Sequence, residues 1–154
     1  MPSPHIHFYD FVNHRWISST DNSSQLNSRP VTPLQVGRMN HACIKFSEGG
    51  RSKVMVAGGV TASDDLEFSV VRSVEVLDVQ SLTWRRALDI PTSITGSRLI
   101  LVDGRPCLVG RYGEENTRAL LRYSEQNTWQ SLPVQLLEGR SDYQIIRDLP
   151  ATVR

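Results

Sequence analysis

Apolar positions in this chain gather in short runs separated by turn formers, with no long helical periodicity. Val54-Met55-Val56-Ala57-Gly58-Gly59 is an unbroken apolar run closed by two glycines. It is far short of the about 20 residues that cross a bilayer, and it suits a strand buried on both faces. Cys107-Leu108-Val109-Gly110 has the same form, with Arg111 where the second glycine stood. Ahead of each lies another apolar segment, residues 41–46 and 97–102, joined to it by a polar, glycine-containing turn. The glycines permit a sharp exit or a close backbone approach that a side chain would prevent.

Three tryptophans expose a repeat. FYDFVNHRW (residues 8–16), VLDVQSLTW (76–84) and RYSEQNTW (122–129) carry a large residue, Tyr9, Leu77 or Tyr123, ahead of Trp16, Trp84 or Trp129. The spacing is seven in the first two copies and six in the third. Asp10, Asp78 or Ser124 follows the large residue, and Asn13-His14 and Gln126-Asn127 are turn formers in mid-segment. The pattern predicts a strand, a tight turn and a second strand bearing Trp. With the two upstream strands, a complete unit is four short antiparallel strands, a to d.

Gly58-Gly59, Leu77 and Trp84, led in by Arg38 and His41-Ala42, resemble the kelch repeat. Units of that family are about 50 residues long, each one blade of a β-propeller. The third copy keeps Gly110, Tyr123 and Trp129 but lacks the paired glycines, and the first has only strands c and d. The resemblance implies an all-β propeller fragment: a partial blade at 5–17, a long connection at 18–36, a blade at 37–88, a degenerate blade at 95–133, and the first strand of a further or closing blade at 139–147. Propellers close with about 4–8 blades. Missing blades are therefore expected from a longer chain or from a partner. The large c residue and the Trp are expected to pack between neighbouring blades.

Function follows from the same resemblance as an expectation. It implies a non-catalytic adaptor or scaffold, in some members the substrate-recruiting part of a ubiquitin ligase. Other kelch-like propellers are enzymes of copper-oxidase or sugar-isomerising type, which need metal ligands or acid–base residues near the axis.

Composition narrows the alternatives. The 154 residues suffice for a core, and a net charge of +1 with 21% charged residues creates no strong field. That argues against a nucleic-acid or polybasic membrane surface. The opening MPSPHIHFYDF lacks the blocks of a signal peptide, so a cytoplasmic chain is expected, extracellular if a leader lies upstream. Cys43 and Cys107 lack metal-ligand spacing and are expected as buried free thiols. His5 and His7 would share one side of a strand, but no third ligand stands nearby, so neither metal nor cofactor is expected. His41 is expected as a hydrogen-bonded blade residue, and Arg85-Arg86 as ordinary surface. No phosphate loop, Ser/His/Asp arrangement or zinc signature appears. Asn22 opens an Asn-Ser-Ser acceptor that matters only in a secreted chain.

The connections carry the remaining signal. Measured between landmarks, the second unit exceeds the third by 12 residues in its d–a connection and 6 in b–c, against 4 in a–b and 1 in c–d. In an antiparallel blade d–a and b–c emerge on one face. Stability does not call for long loops, and binding residues concentrate on them. A protein partner is therefore expected on that face. Asn22, Gln25 and Arg29 would come from d–a, and Asp64, Asp65 and Glu67 from b–c. Arg111, Tyr112, Glu114 and Glu115 would come from the next blade. The d–a segment 18–36, rich in Ser, Asn, Thr and Pro, is expected to be irregular and exposed.

Overall fold

The computed structural model describes residues 2–20, 25–26, 29–30, 32–91, 93, 96–110 and 119–135. Every helix or strand among them is a strand. In chain order these are β1 (His7–Asp10), β2 (Arg15–Ser18), β3 (Gln25–Leu26), β4 (Arg29–Pro30), β5 (Ala42–Glu48), β6 (Arg51–Ala57) and β7 (Val60–Ala62). There follow β8 (Phe68–Val70), β9 (Val74–Asp78), β10 (Thr83–Ala87), β11 (Arg98–Val102), β12 (Arg105–Val109), β13 (Ala119–Tyr123) and β14 (Trp129–Gln135). Two four-stranded sheets result, β5-β6-β9-β10 and β11-β12-β13-β14, each an antiparallel a-b-c-d meander. β1 and β2 form the c–d hairpin of the first unit.

The repeat is built as one device three times. Tyr9 pairs with Trp16, Leu77 with Trp84 and Tyr123 with Trp129. The residue two places before each Trp takes the left-handed conformation: His14 at φ 50°, Leu82 at 58° and Asn127 at 58°. The residue after the large one caps the turn. Asp10 Oδ1 accepts from the N–H groups of Val12 and Asn13, and Asp78 Oδ1 from those of Gln80 and Ser81. Ser124 Oγ accepts from Thr128 N–H. Such side-chain bonds satisfy turn amides that the ladder leaves unpaired.

The main core lies between the two sheets. Ala42, Phe46, Met55, Ala57, Val74 and Val76 of one face Leu99, Leu108, Leu121 and Tyr123 of the other, with Trp129 packed at the margin. Burying each large aliphatic residue contributes about 1.5–3 kcal/mol. The indoles add polar clamps to the connections that enter their own sheets. Trp84 Nε1–H donates to the Thr32 carbonyl and Trp129 Nε1–H to that of Leu88, both at 3.0 Å.

Gly59 explains the double glycine. It sits at φ +97°, and a Cβ there would lie 2.5 Å from the Met39 carbonyl oxygen. That carbonyl is fixed by reciprocal bonds of 2.9 Å between Met39 and Val60, so it has nowhere to go.

Several expectations need correction. Trp16 is 68% exposed and is not packed between sheets, because no described sheet covers its side of the β1–β2 hairpin. Cys43 is exposed while Cys107 is buried. Cys43 stands on the same side of β5 as exposed Lys45, out of step with the inward Ala42 and Phe46. His5 precedes β1, so the two imidazoles do not share a strand. The d–a segment is not wholly irregular: β3 and β4 pair within it, and Leu34 is buried. The strand proposed at 139–147 lies outside the described residues.

Candidate functional site

The b–c connection of the second unit is itself a hairpin of β7 and β8. Val60, Thr61 and Ala62 pair with Val70, Ser69 and Phe68. At its tip, Ser63 N–H donates to the Glu67 carbonyl, Leu66 N–H to the Ser63 carbonyl and Glu67 N–H to Ser63 Oγ. Leu66 is held at φ 62°, an unusual conformation for a bulky residue, and is 70% exposed. Phe68 is 65% exposed. With Pro2, Ser3, Arg38, Met39 and Ala62 they line an open groove of about 350 Å³.

The Met39–Val60 bridge joins the end of the d–a connection to the start of this hairpin. The two long connections therefore meet on one face, as an antiparallel blade requires. Behind the groove stands a buried ion pair. Arg38 Nη2 lies 2.6 Å from Glu75 Oε1, and both side chains are fully buried. Arg38 also donates to the carbonyls of Val36, Gly58 and Ser73 and to Ser73 Oγ. Glu75 accepts from the N–H groups of Gln35 and Val36. The cluster ties the d–a connection to strands b and c, so the groove wall is fixed by a nearly complete hydrogen-bond set.

His41 stands beside this cluster. Burial lowers its pKa, and the charge of Arg38 lowers it further. Its Nδ1 is buried without a partner, while a hydrogen bond to the Arg38 backbone partly offsets the fall.

Asp64, Asp65 and Glu67 surround Leu66 at the hairpin tip, and none forms an ion pair with another described residue. Gln25 and Arg29 fall in β3 and β4, whose side chains are not described. Asn22, Arg111, Tyr112, Glu114 and Glu115 lie outside the described residues. The apolar half of the face, Met39, Leu66 and Phe68, was missed by sequence reasoning. Its signal was an apolar residue on either side of Glu67 in a loop that solvent should favour as wholly polar.

At the opposite end, the a–b and c–d turns meet around a groove of about 470 Å³ lined by Glu48, Asp103, Arg105, Tyr123 and Glu125, among others. Here Arg105 pairs with Glu125, and Arg85 with Glu48 at 2.8 Å. Arg85 also donates to Asn127 across the two sheets, so it is an inter-sheet residue and not simple surface. Among the described residues no group of three or more His, Cys, Asp or Glu could hold a metal. No helix there is long and apolar enough to cross a membrane.

Two four-stranded meanders packed face to face, each led by a connection that its own Trp clamps, are successive blades of a β-propeller. The solved structure of YjhT, a kelch-type β-propeller protein, superposes on this chain with a TM-score of 0.62 at 11% sequence identity. The match covers 82% of this chain and 44% of that one, so the chain spans less than half the length of its structural neighbour. No family model and no curated protein matches the sequence.

Proposed function

We propose that this chain is a non-catalytic protein-interaction module built of kelch-type repeats, binding its partner on the face where the d–a and b–c connections meet. The observation that carries the reading is the β7–β8 hairpin, which holds Leu66 and Phe68 in solvent at a cost in apolar exposure that folding alone does not require. Exposed apolar residues grouped beside polar ones are characteristic of partner sites, and a few such anchors dominate interface energy. The Arg38–Glu75 cluster beneath supplies the rigid base that an interface needs.

Further blades, from a longer chain or from a partner, would cover the aromatic face of the first unit, where Tyr9, Phe11 and Trp16 are exposed. The adaptor role implied by the kelch resemblance fits this arrangement.

Capture by two trimmed variants tests the reading. Replacing residues 63–67 with a two-residue Asn-Gly turn should abolish or strongly weaken recovery of partners from cell extract. Substituting the opposite turn at Glu48, Gly49 and Gly50 should leave recovery unchanged. The reverse pattern would place the interface at the other end of the blades.

A further inference from the structure

The groove beneath the β7–β8 hairpin combines two chemistries within a few residues. Its walls are apolar, supplied by Pro2, Met39, Ala62, Leu66 and Phe68. Leu66 and Phe68 stand two apart, and Phe68 lies directly across from Ala62 in the hairpin. Asp64, Asp65 and Glu67 bracket Leu66 in the chain, so three carboxylates adjoin the groove at the hairpin tip, although none of them lines it.

No Lys or Arg among the described residues forms an ion pair with these carboxylates. Arg38 reaches the groove but is fully engaged by Glu75 and by carbonyl oxygens. Arg72 donates to the Ile90 and Pro91 carbonyls, both at 2.8 Å. Three carboxylates thus stand beside an apolar cleft with no counter-cation among the described residues, although the whole chain carries a net charge of +1. A local charge opposite to the global one selects partners by sign and steers their approach.

We infer that the occupant of this groove is a basic, apolar peptide segment: one or two large apolar side chains flanked by Lys or Arg. The apolar side chains enter between Met39, Leu66 and Phe68. The flanking cations meet Asp64, Asp65 and Glu67. This inference deepens the protein-interaction reading above and rests on it.

Selection from a display library of random dodecapeptides against the immobilised 154-residue chain tests it without assuming a ligand. The recovered peptides are then synthesised with a fluorescent label and titrated by anisotropy. The expected binders are enriched in Lys and Arg around an aromatic or branched apolar residue. They weaken about tenfold or more against the Asp64→Asn, Asp65→Asn, Glu67→Gln variant, a loss of about 1.4 kcal/mol. Their affinity also falls with added salt. Binders without basic enrichment, indifferent to that neutralised variant but weakened by Leu66→Ser with Phe68→Ser, overturn the basic partner while leaving the interaction face in place. Binders indifferent to both variants overturn the face itself. Both variants alter exposed residues, and circular dichroism confirms that each keeps the strand spectrum of the parent.

Discussion

Arg38 and Glu75 meet at 2.6 Å with both side chains fully buried, one from the end of a connection and the other from mid-strand β9. A buried pair of this kind gives little net stability over an apolar replacement, but removing one partner strands a charge. Leu121 occupies the matching place in the third unit, two positions before Tyr123 as Glu75 is two before Leu77. The fold therefore accepts an apolar residue there.

Glu75→Leu alone should cost about 3–5 kcal/mol, because Arg38 keeps its charge without a counter-ion. Adding Arg38→Met should recover part of that loss. Urea titrations of both singles and the double measure the coupling. Strictly additive costs would show that the pair is not an energetic unit.

The three tryptophans should separate by burial, though sequence presents them as equivalent. Trp129 packs on the main core and bonds Leu88, so Trp129→Ala should cost about 3 kcal/mol or more. Trp16→Ala, at 68% exposure, should cost about 1 kcal/mol or less in this chain. Equal losses in denaturant midpoints would contradict the sheet packing described for β14.

The two thiols should differ in reactivity. Burial pushes Cys107 up to about 11, so at pH 8 about a thousandth of it is thiolate, in a place reagents cannot reach. Cys43 is exposed. Ellman's reagent should titrate one thiol in the native chain and a second only after denaturation. Rapid reaction of both in the native state would mean that strand β12 is open.

His41 gives the chain an acid-sensitive point. Its folded pKa lies below the ordinary 6.5, so in the window beneath that value the unfolded chain binds the extra proton. Stability from this group is complete above pH 6.5 and is lost as pH falls from there towards the folded pKa. His41→Gln should flatten the dependence of the urea midpoint between pH 7 and pH 5. An unchanged slope would assign the acid limb to the carboxylates.

Much of the architecture was legible in particular residues. The spacing of Tyr9, Leu77 and Tyr123 from their tryptophans set the c–d register, because a connection of four residues in the first two units and five in the third leaves paired strands little latitude. Gly58-Gly59 marked a close approach, which turned out to be the Met39 carbonyl. The Arg38–Glu75 pair was hidden because its partners are 37 residues apart and nothing local requires them to meet. The β7–β8 hairpin was hidden because three-residue strands carry almost no periodicity. The exposure of Trp16 was equally invisible, since a repeat motif reads the same whether or not a neighbour covers it. On the candidate face, sequence singled out Asp64, Asp65 and Glu67 but not the exposed apolar Leu66 and Phe68.

The face carrying Leu66 and Phe68 is the proposed partner site. Site-specific photo-crosslinking tests it most directly, with a benzophenone side chain placed at Phe68 in one sample and at Ser52 on the opposite end in another. Partner adducts are expected from position 68, reduced by competing basic-apolar peptide, and none from position 52. Adducts from position 52 with none from position 68 would contradict it.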